Sequence, residues 1–124
     1  MAAIRRLDPE GGILSNVVEA AGFVTIVSLA DDTSLDCAGQ TREALAYIDA
    51  CLAKVGLDKR AIVQVTIWLP DIRLREAMNT AWIVWADPAH LPVRACVEAR
   101  LANPTYLIEM AVIAVSRPYA ALRT

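Results

Sequence analysis

A single acidic residue interrupts the most apolar stretch in the last quarter of the sequence. Glu109 lies within residues 106–115, where nearly all other side chains are apolar. Two-residue periodicity places it on the strand face of Leu107, Ala111 and Ile113. A carboxylate there costs several kcal/mol of desolvation unless it is paired, hydrogen-bonded or protonated. Glu109 is therefore a functional carboxylate with a raised pKa, part of a structural ion pair, or an edge residue whose apolar neighbours face another subunit.

Arg94 is a basic residue in a similar setting. It alternates with small or apolar residues in the segment 93–98 and follows Pro92 closely. A guanidinium at the start of a strand can clamp a carboxylate through two parallel hydrogen bonds. The alternative is a solvated edge charge or an ion pair with Glu98.

The cysteines indicate binding more than nucleophilic catalysis. Cys96 shares the alternation of Arg94, but no base that would turn it into a thiolate can be identified. We expect its backbone N–H and C=O groups to help bind a ligand beside Arg94. Cys37 and Cys51 complete an odd, widely spaced set without a CxxC pair, which predicts reduced cytoplasmic thiols instead of disulfides or a zinc site.

Several other kinds of site have little support. His90 is the single histidine, so a Ser/His/Asp triad would depend on one loop residue and a multi-histidine metal site is impossible. Neither GxGxxG nor GxxxxGK[ST] occurs. No metal and no cofactor are expected.

The composition argues against nucleic-acid and membrane partners. The net charge is −2 with scattered arginines, and the longest uncharged stretch, residues 20–30, is far shorter than the roughly 18 residues of a membrane span. The amino-terminal region lacks the apolar core of a signal peptide. We expect one soluble, cytoplasmic domain over residues 1–124. Its 56% hydrophobic content predicts that some apolar surface is buried between subunits.

The elements that must position these residues follow from hydrophobic periodicity. Residues 16–18 and 23–29 alternate as a hairpin, with Gly22 supplying its turn. An amphipathic helix is predicted over about residues 36–55, closed by Gly56. The remaining predicted elements are a strand at 62–69, a helix capped by Asp71, a loop at 87–90 and strands at 92–99 and 106–115.

This order predicts an α+β fold with one mixed sheet and two helices packed on one face. Trp82 and Trp85 fall in the apolar stripe of the second helix and are expected in the core. On the strand 62–69, alternation assigns Val63 to one side and Trp68 to the other, so both sides need burial. The uncovered sheet face should be largely apolar, and self-association is the simplest way to bury it.

Two segments together resemble the signature of the reactive intermediate deaminase family, also called Rid or YjgF and formerly labelled endoribonuclease L-PSP. Residues 92–99 match its P-x-R-x-x-V pattern, and residues 106–110 match its strand with an apolar-Glu-apolar core. Gly39-Gln40-Thr41 and Met78-Asn79 with Trp82 also fit the family spacing. The resemblance covers nearly the whole chain.

The resemblance implies a chorismate-mutase-like fold of the Rid type, in which three copies pack their open sheet faces into a barrel-like centre with sites between subunits. It implies that Arg94 grips the substrate carboxylate and that Glu109 positions or activates the water that attacks the C=N carbon. Cys96 would contribute backbone groups. The implied reaction is hydrolytic deamination of enamines and imines such as 2-aminoacrylate to 2-oxo acids and ammonia, a form of metabolite damage control.

The chain departs from the family pattern at one strand end and near the amino terminus. Many active members have Ser-Gly-Gln where this sequence has Val27-Ser28-Leu29, and a tyrosine where it has Leu14-Ser15. Ser28 could supply the missing substrate-binding hydroxyl only if the register shifts by one residue, which would turn it to the other face. The altered segment keeps open a second interpretation, a non-catalytic trimer that binds a small carboxylate metabolite through Arg94. RNA cleavage is disfavoured by the absence of a basic patch and by the single loop histidine, His90.

Overall fold

The computed structural model describes residues 3–116 and folds them into one six-stranded sheet with two helices. The strands are β1 Arg5–Glu10, β2 Leu14–Ala20, β3 Phe23–Ser28, β4 Ile62–Leu69, β5 Val93–Glu98 and β6 Glu109–Val115, and the helices are α1 Cys37–Lys54 and α2 Arg75–Trp85. The sheet order is β1-β2-β3-β6-β4-β5, in which only the β4 and β5 pair is parallel. Residues of both helices and of the inner strands share one core. The predicted α+β fold with one mixed sheet and two helices on one face is confirmed.

The core forms because the three central strands turn every second residue towards the helices. The buried apolar residues on this face are Val24 and Ile26 of β3, Val65, Ile67 and Leu69 of β4, and Met110, Val112 and Ala114 of β6. Full burial of a Val, Leu, Ile or Met side chain contributes roughly 1.5–3 kcal/mol. The alternation therefore fixes which residues of each strand remain on the other face.

Helix α1 is delimited by local signals and tied to the segment before β6. The Asp36 carboxylate accepts a hydrogen bond from the Gly39 N–H at 2.8 Å, which is a normal amino-terminal cap. Gly56 has a φ of 75°, and its N–H donates to a carbonyl of the last helical turn. The fully buried Gln40 amide donates to the Thr105 carbonyl at 3.0 Å and accepts the Leu107 N–H at 2.9 Å. These two bonds hold the entry to β6.

Strand β1 is the one strand that the sequence analysis does not predict. It contains Pro9, and Asp8 adopts a left-handed φ of 53°, so it has few features of an ordinary strand. It lies at an edge of the sheet and pairs only with β2. The predicted hairpin is present as β2 and β3, with Ala21 and Gly22 at positive φ in its turn.

Three local expectations are wrong. A bulge at the start of β4 moves Val63 away from the buried side of Val65 and leaves it 45% exposed. Asp71 caps a short 3₁₀ turn by accepting the Arg73 N–H, and α2 itself begins only at Arg75. The last strand starts at Glu109 and not at residue 106, because the preceding segment is held by Gln40 in an irregular conformation.

Among residues 3–116, no element covers the sheet face away from the helices, and this face carries exposed apolar side chains as predicted. Phe23 and Val27 of β3 are 51% and 39% exposed there, and Val93 and Val97 of β5 are 71% and 44% exposed. Exposed apolar side chains on an open sheet face favour association with another surface. None of the helices in residues 3–116 has the length and apolar character needed to cross a membrane.

Candidate functional site

Arg94 lies on the helix side of β5, where α2 supports its guanidinium. The guanidinium carbon lies 5.1 Å from the centroid of the Trp82 ring, and Nη1 donates to the Met78 sulfur at 3.6 Å. A thioether is a weak acceptor, and an indole ring attracts a cation through its face. Glu98 is not the partner of Arg94, because its carboxylate accepts the Ile72 N–H at 2.9 Å. Within residues 3–116, no carboxylate lies within ion-pair distance of the Arg94 guanidinium.

Two other arginines show what a structurally satisfied guanidinium looks like in this chain. Arg60 forks the Asp58 carboxylate with an Nη2–Oδ2 distance of 2.8 Å, and Arg73 forks Asp71 at 2.6 Å. Both pairs are local and lie two residues apart in sequence. Arg94 differs from them because its planar fork has no acid to bind in the described chain.

The electrostatic setting of Arg94 favours an anion. Burial lowers the pKa of the Arg94 guanidinium, and the nearby positive charge of Arg75 lowers it further, while Cys96 acts in the opposite direction. A guanidinium stays protonated at physiological pH despite such shifts. The charge is therefore partly desolvated and close to a second cation, and a carboxylate ligand would relieve both costs.

Cys96 presents its backbone to the free edge of the sheet. The Ala99 N–H donates to the Leu69 carbonyl at 2.9 Å, so the backbone N–H and C=O groups of the odd-numbered residues in this segment point towards β4. Backbone groups alternate sides along a strand, so the N–H and C=O of Cys96 and Arg94 point away from β4. β5 is the last strand of the described sheet. These groups are consistent with the predicted role of the Cys96 backbone in ligand binding, while its thiol packs against the core.

Glu109 is the first residue of β6 and lies on the open face of the sheet. Its neighbours Ile108 and Met110 are fully buried, whereas Glu109 is partly exposed and pairs across the strands with Trp68. Its carboxylate makes no hydrogen bond or ion pair with another group of the chain between residues 3 and 116. A structural ion pair with a residue of the described part of the chain is therefore not its role. It lines a shallow pocket of about 230 Å³ with Trp68, Ala99, Arg100 and Leu101.

The single chain does not bring Arg94 and Glu109 together. Arg94 pairs with Val65, which faces the helices, and Glu109 pairs with Trp68, which faces the opposite side. Their strands are separated by β4, which amounts to about 10 Å across the sheet, and their register positions differ by about 10 Å along it. One small substrate cannot contact both side chains of the same subunit.

Ser28 and His90 lie outside these surroundings. Ser28 is 1% exposed, and its hydroxyl donates to the Ala44 carbonyl of α1 at 2.7 Å. It pairs with Met110, so both side chains face the helices and the register is not shifted. His90 lies in a loop with its Nδ1 3.0 Å from Asp87. The hydroxyl of Ser28 supports α1 and does not reach an open surface.

The contacts that support Arg94 are not apparent from the sequence alone. The expectation that Trp82 lies in the core is correct, since the residue is 7% exposed, and the structure adds the contact of its indole with Arg94. Met78 and Trp82 are spaced by one helical turn and therefore face the same way. That spacing was visible in the sequence, whereas the pairing of β5 beside α2 was not.

Comparison with known proteins agrees with this architecture. The family described as Endoribonuclease L-PSP matches residues 9–116. Over 111 residues the chain is 38% identical to the RutC family protein YoaB of Escherichia coli K12, covering 90% of this chain and 96% of that protein. It is 26% identical over 110 residues to the 2-iminobutanoate/2-iminopropanoate deaminase of the same strain, covering 87% and 86%.

A solved structure gives the same result. NMB1025 of Neisseria meningitidis, a member of the YjgF protein family, superposes with a TM-score of 0.86 at 34% identity, covering 94% of this chain and 97% of that one. The family match spans most of the chain, and both the sequence and the fold comparisons lead to the same group. The chain therefore belongs to the YjgF/Rid family, the one described as Endoribonuclease L-PSP.

Proposed function

We propose that this protein hydrolyses 2-imino acids and their enamine forms to 2-oxo acids and ammonia. The observation that carries the proposal is Arg94, a partly buried guanidinium that rests on Trp82 with no carboxylate partner in the described chain. A family relative named for deaminating 2-iminobutanoate and 2-iminopropanoate supports the substrate class. Both compounds carry the carboxylate that such a guanidinium would bind.

The proposed site forms between the subunits of a homotrimer. Arg94 and Glu109 face opposite sides of one sheet and are too far apart to act on the same small molecule within one subunit. A second copy can supply the missing member, and the exposed apolar sheet face provides surface for its association. In this arrangement Arg94 of one subunit faces Glu109 of its neighbour.

The proposed reaction needs a held substrate, one water molecule and proton transfer. Arg94 forks the carboxylate and the Cys96 backbone groups orient the ligand at the sheet edge. The Glu109 carboxylate accepts a proton from water as the water oxygen bonds to the C=N carbon, and it passes this proton to the imine nitrogen. In the resulting carbinolamine the C–N bond breaks as the C=O bond forms, and the hydroxyl proton moves through Glu109 to the nitrogen, which leaves as ammonia. Ser28 is not included, because its hydroxyl already donates to Ala44.

The test of this function is a coupled assay in which an amino-acid oxidase generates the imine and its loss is followed with and without this protein. Faster loss of the imine supports the proposal. Binding of 2-oxo acids without any acceleration would instead support the second candidate, a non-catalytic trimer that binds small carboxylates, with its assembly tested separately by light scattering. That candidate is favoured by the altered segment at Ser28, where no exposed hydroxyl faces a ligand.

Mixed trimers test whether the site crosses a subunit boundary. At substrate concentrations well below KM, trimers of Arg94→Ala chains alone or of Glu109→Gln chains alone are each expected to keep about one hundredth of the wild-type rate or less. When the two chains assemble together at random, about one quarter of the sites combine an intact Arg94 from one subunit with an intact Glu109 from its neighbour. Activity should therefore return to about one quarter of the wild-type value. Light scattering should give a mass of three times the 13.4 kDa chain. A stable monomer, or mixed trimers without regained activity, contradicts the arrangement.

Replacement of Cys96 by alanine is expected to leave most of the activity. The proposed contacts of this residue are made by its backbone, and its thiol faces the core. The change in kcat/KM should stay below about threefold, because no group in contact with the substrate is removed. A loss above about a hundredfold with the trimer intact would assign the thiol itself to the chemistry. Cys51→Ala is the matched control, since Cys51 is a buried thiol on α1.

A further inference from the structure

The support of Arg94 is the unusual feature of this molecule that the proposed reaction leaves unexplained. A guanidinium that binds an anion must be held in a fixed orientation. A neighbouring carboxylate could hold the guanidinium, but it would also neutralise its charge and occupy its donors. Arg60 and Arg73 are oriented in that second way by Asp58 and Asp71. Arg94 is instead oriented by neutral groups, an aromatic ring and a thioether.

Trp82 is itself held rigidly. It is 7% exposed and packs against Trp85 with a centroid distance of 5.2 Å and an interplanar angle of 56°. The Trp85 indole N–H donates to the Asp49 carboxylate of α1 at 3.0 Å, and its ring lies 5.2 Å from the Lys59 ammonium. The ring under Arg94 is therefore fixed through a second tryptophan to the other helix.

We propose that Trp82 is a positioning residue that fixes the guanidinium plane of Arg94 so that the remaining donors of the fork face the substrate carboxylate. Stacking fixes the plane without using up the positive charge, and it leaves the in-plane N–H groups free. The Met78 sulfur accepts a weak hydrogen bond from Nη1 alone, so the other N–H groups of the guanidinium remain available. The inference rests on the proposed function, since it concerns how that site binds a 2-imino acid.

The test compares Trp82→Leu and Trp82→Phe with Trp85→Leu, which removes a ring that packs against Trp82 but does not itself lie over Arg94. Trp82→Leu removes the ring and is expected to weaken pyruvate binding and to raise KM by about tenfold, with kcat changed by less than about threefold. Trp82→Phe keeps a ring face and should recover most of this loss. Trp85→Leu keeps the Trp82 ring and removes only its support, so its KM should rise by less than that of Trp82→Leu. Titration calorimetry with pyruvate and steady-state kinetics provide these values.

A double-variant comparison separates positioning from general packing. In the Arg94→Ala background, Trp82→Leu should cause no further loss of kcat/KM, because its effect passes through the guanidinium. Should Trp82→Leu fail to fold, Trp82→Met takes its place, because the longer and more flexible methionine side chain can adapt to the space left by the ring. Equal KM values for the wild type and a folded ringless variant, or full additivity with Arg94→Ala, would overturn the role of Trp82.

The outcomes distinguish this inference from the proposed function. Wild-type protein that neither binds pyruvate nor speeds imine loss would overturn the function, and the role of Trp82 with it. Wild-type activity with unaffected Trp82 variants would overturn the positioning role alone. An NMR spectrum adds a readout without ligand, since the Arg94 side-chain protons should show a ring-current shift that Trp82→Leu abolishes and Trp85→Leu changes less.

Discussion

Glu109→Gln is expected to lower kcat by about a hundredfold or more, the usual contribution of a general acid–base group. Glutamine has nearly the same shape as glutamate but cannot accept the proton of the attacking water. The Arg94 fork is untouched, so the affinity for pyruvate should stay within about twofold of the wild type. Steady-state kinetics and calorimetry on the same preparation measure the two effects separately.

The free energy of unfolding decides how such a result is interpreted. Glu109 is partly exposed and makes no ion pair with the rest of the described chain, so its neutral replacement should alter stability by less than about 0.5 kcal/mol. Glu98→Gln serves as the control, since an amide oxygen can still accept the Ile72 N–H. Unchanged kcat for Glu109→Gln in a folded trimer would remove this carboxylate from the mechanism.

Arg94→Ala is expected to raise KM for 2-imino acids by about a hundredfold, because it removes two charge-assisted hydrogen bonds of about 1.5–3 kcal/mol each, only part of which water replaces. Arg94→Lys keeps the charge and loses the planar fork and its stacking on Trp82, so its KM should rise by about tenfold. Both variants should retain a kcat closer to the wild type than Glu109→Gln does. Initial rates measured over a range of substrate concentrations give KM and kcat separately.

Arg60→Ala is the matched control for Arg94→Ala. Its guanidinium is exposed and bound to Asp58, so the substitution removes the same number of atoms and the same charge far from any proposed substrate contact. Its KM should equal that of the wild type. A fall in kcat with an unchanged KM for Arg94→Ala would show that the guanidinium acts on the transition state and not on the substrate carboxylate.

Local patterns in the sequence were sufficient to predict both helices, the central strands and the two charged residues. The cap at Asp36, the glycine at position 56 and the alternation around Glu109 depend on neighbours within a few residues, and each appears in the fold. The resemblance to the Rid family, which rests on motifs around Arg94 and Glu109, is confirmed by the match over residues 9–116.

The features that escaped prediction depend on contacts between distant segments. Arg94 and Glu109 lie on opposite faces of the sheet because β4 pairs with both β5 and β6 in a particular register. No local sequence pattern specifies these pairings. The bulge that exposes Val63 changes the face to which side chains point only at the start of β4, and the alternation of the later residues gives no sign of it. Ser28 has the same sequence neighbours whether its hydroxyl faces a ligand or α1, and only the packing of α1 decides between them.

Within residues 3–116, no strand covers the outer edge of β5, and this limits how the protein can exist as a monomer. An uncovered edge strand exposes unpaired backbone groups that can recruit another strand, and Val93 and Val97 add apolar side chains beside them. Pro92 and the two charges of the strand, at Arg94 and Glu98, are the local features that oppose such pairing. Substitutions that separate the subunits of the proposed trimer should consequently produce insoluble aggregates more readily than dispersed single chains. The strand edge proposed to bind a metabolite then becomes a site of misassembly when it is exposed.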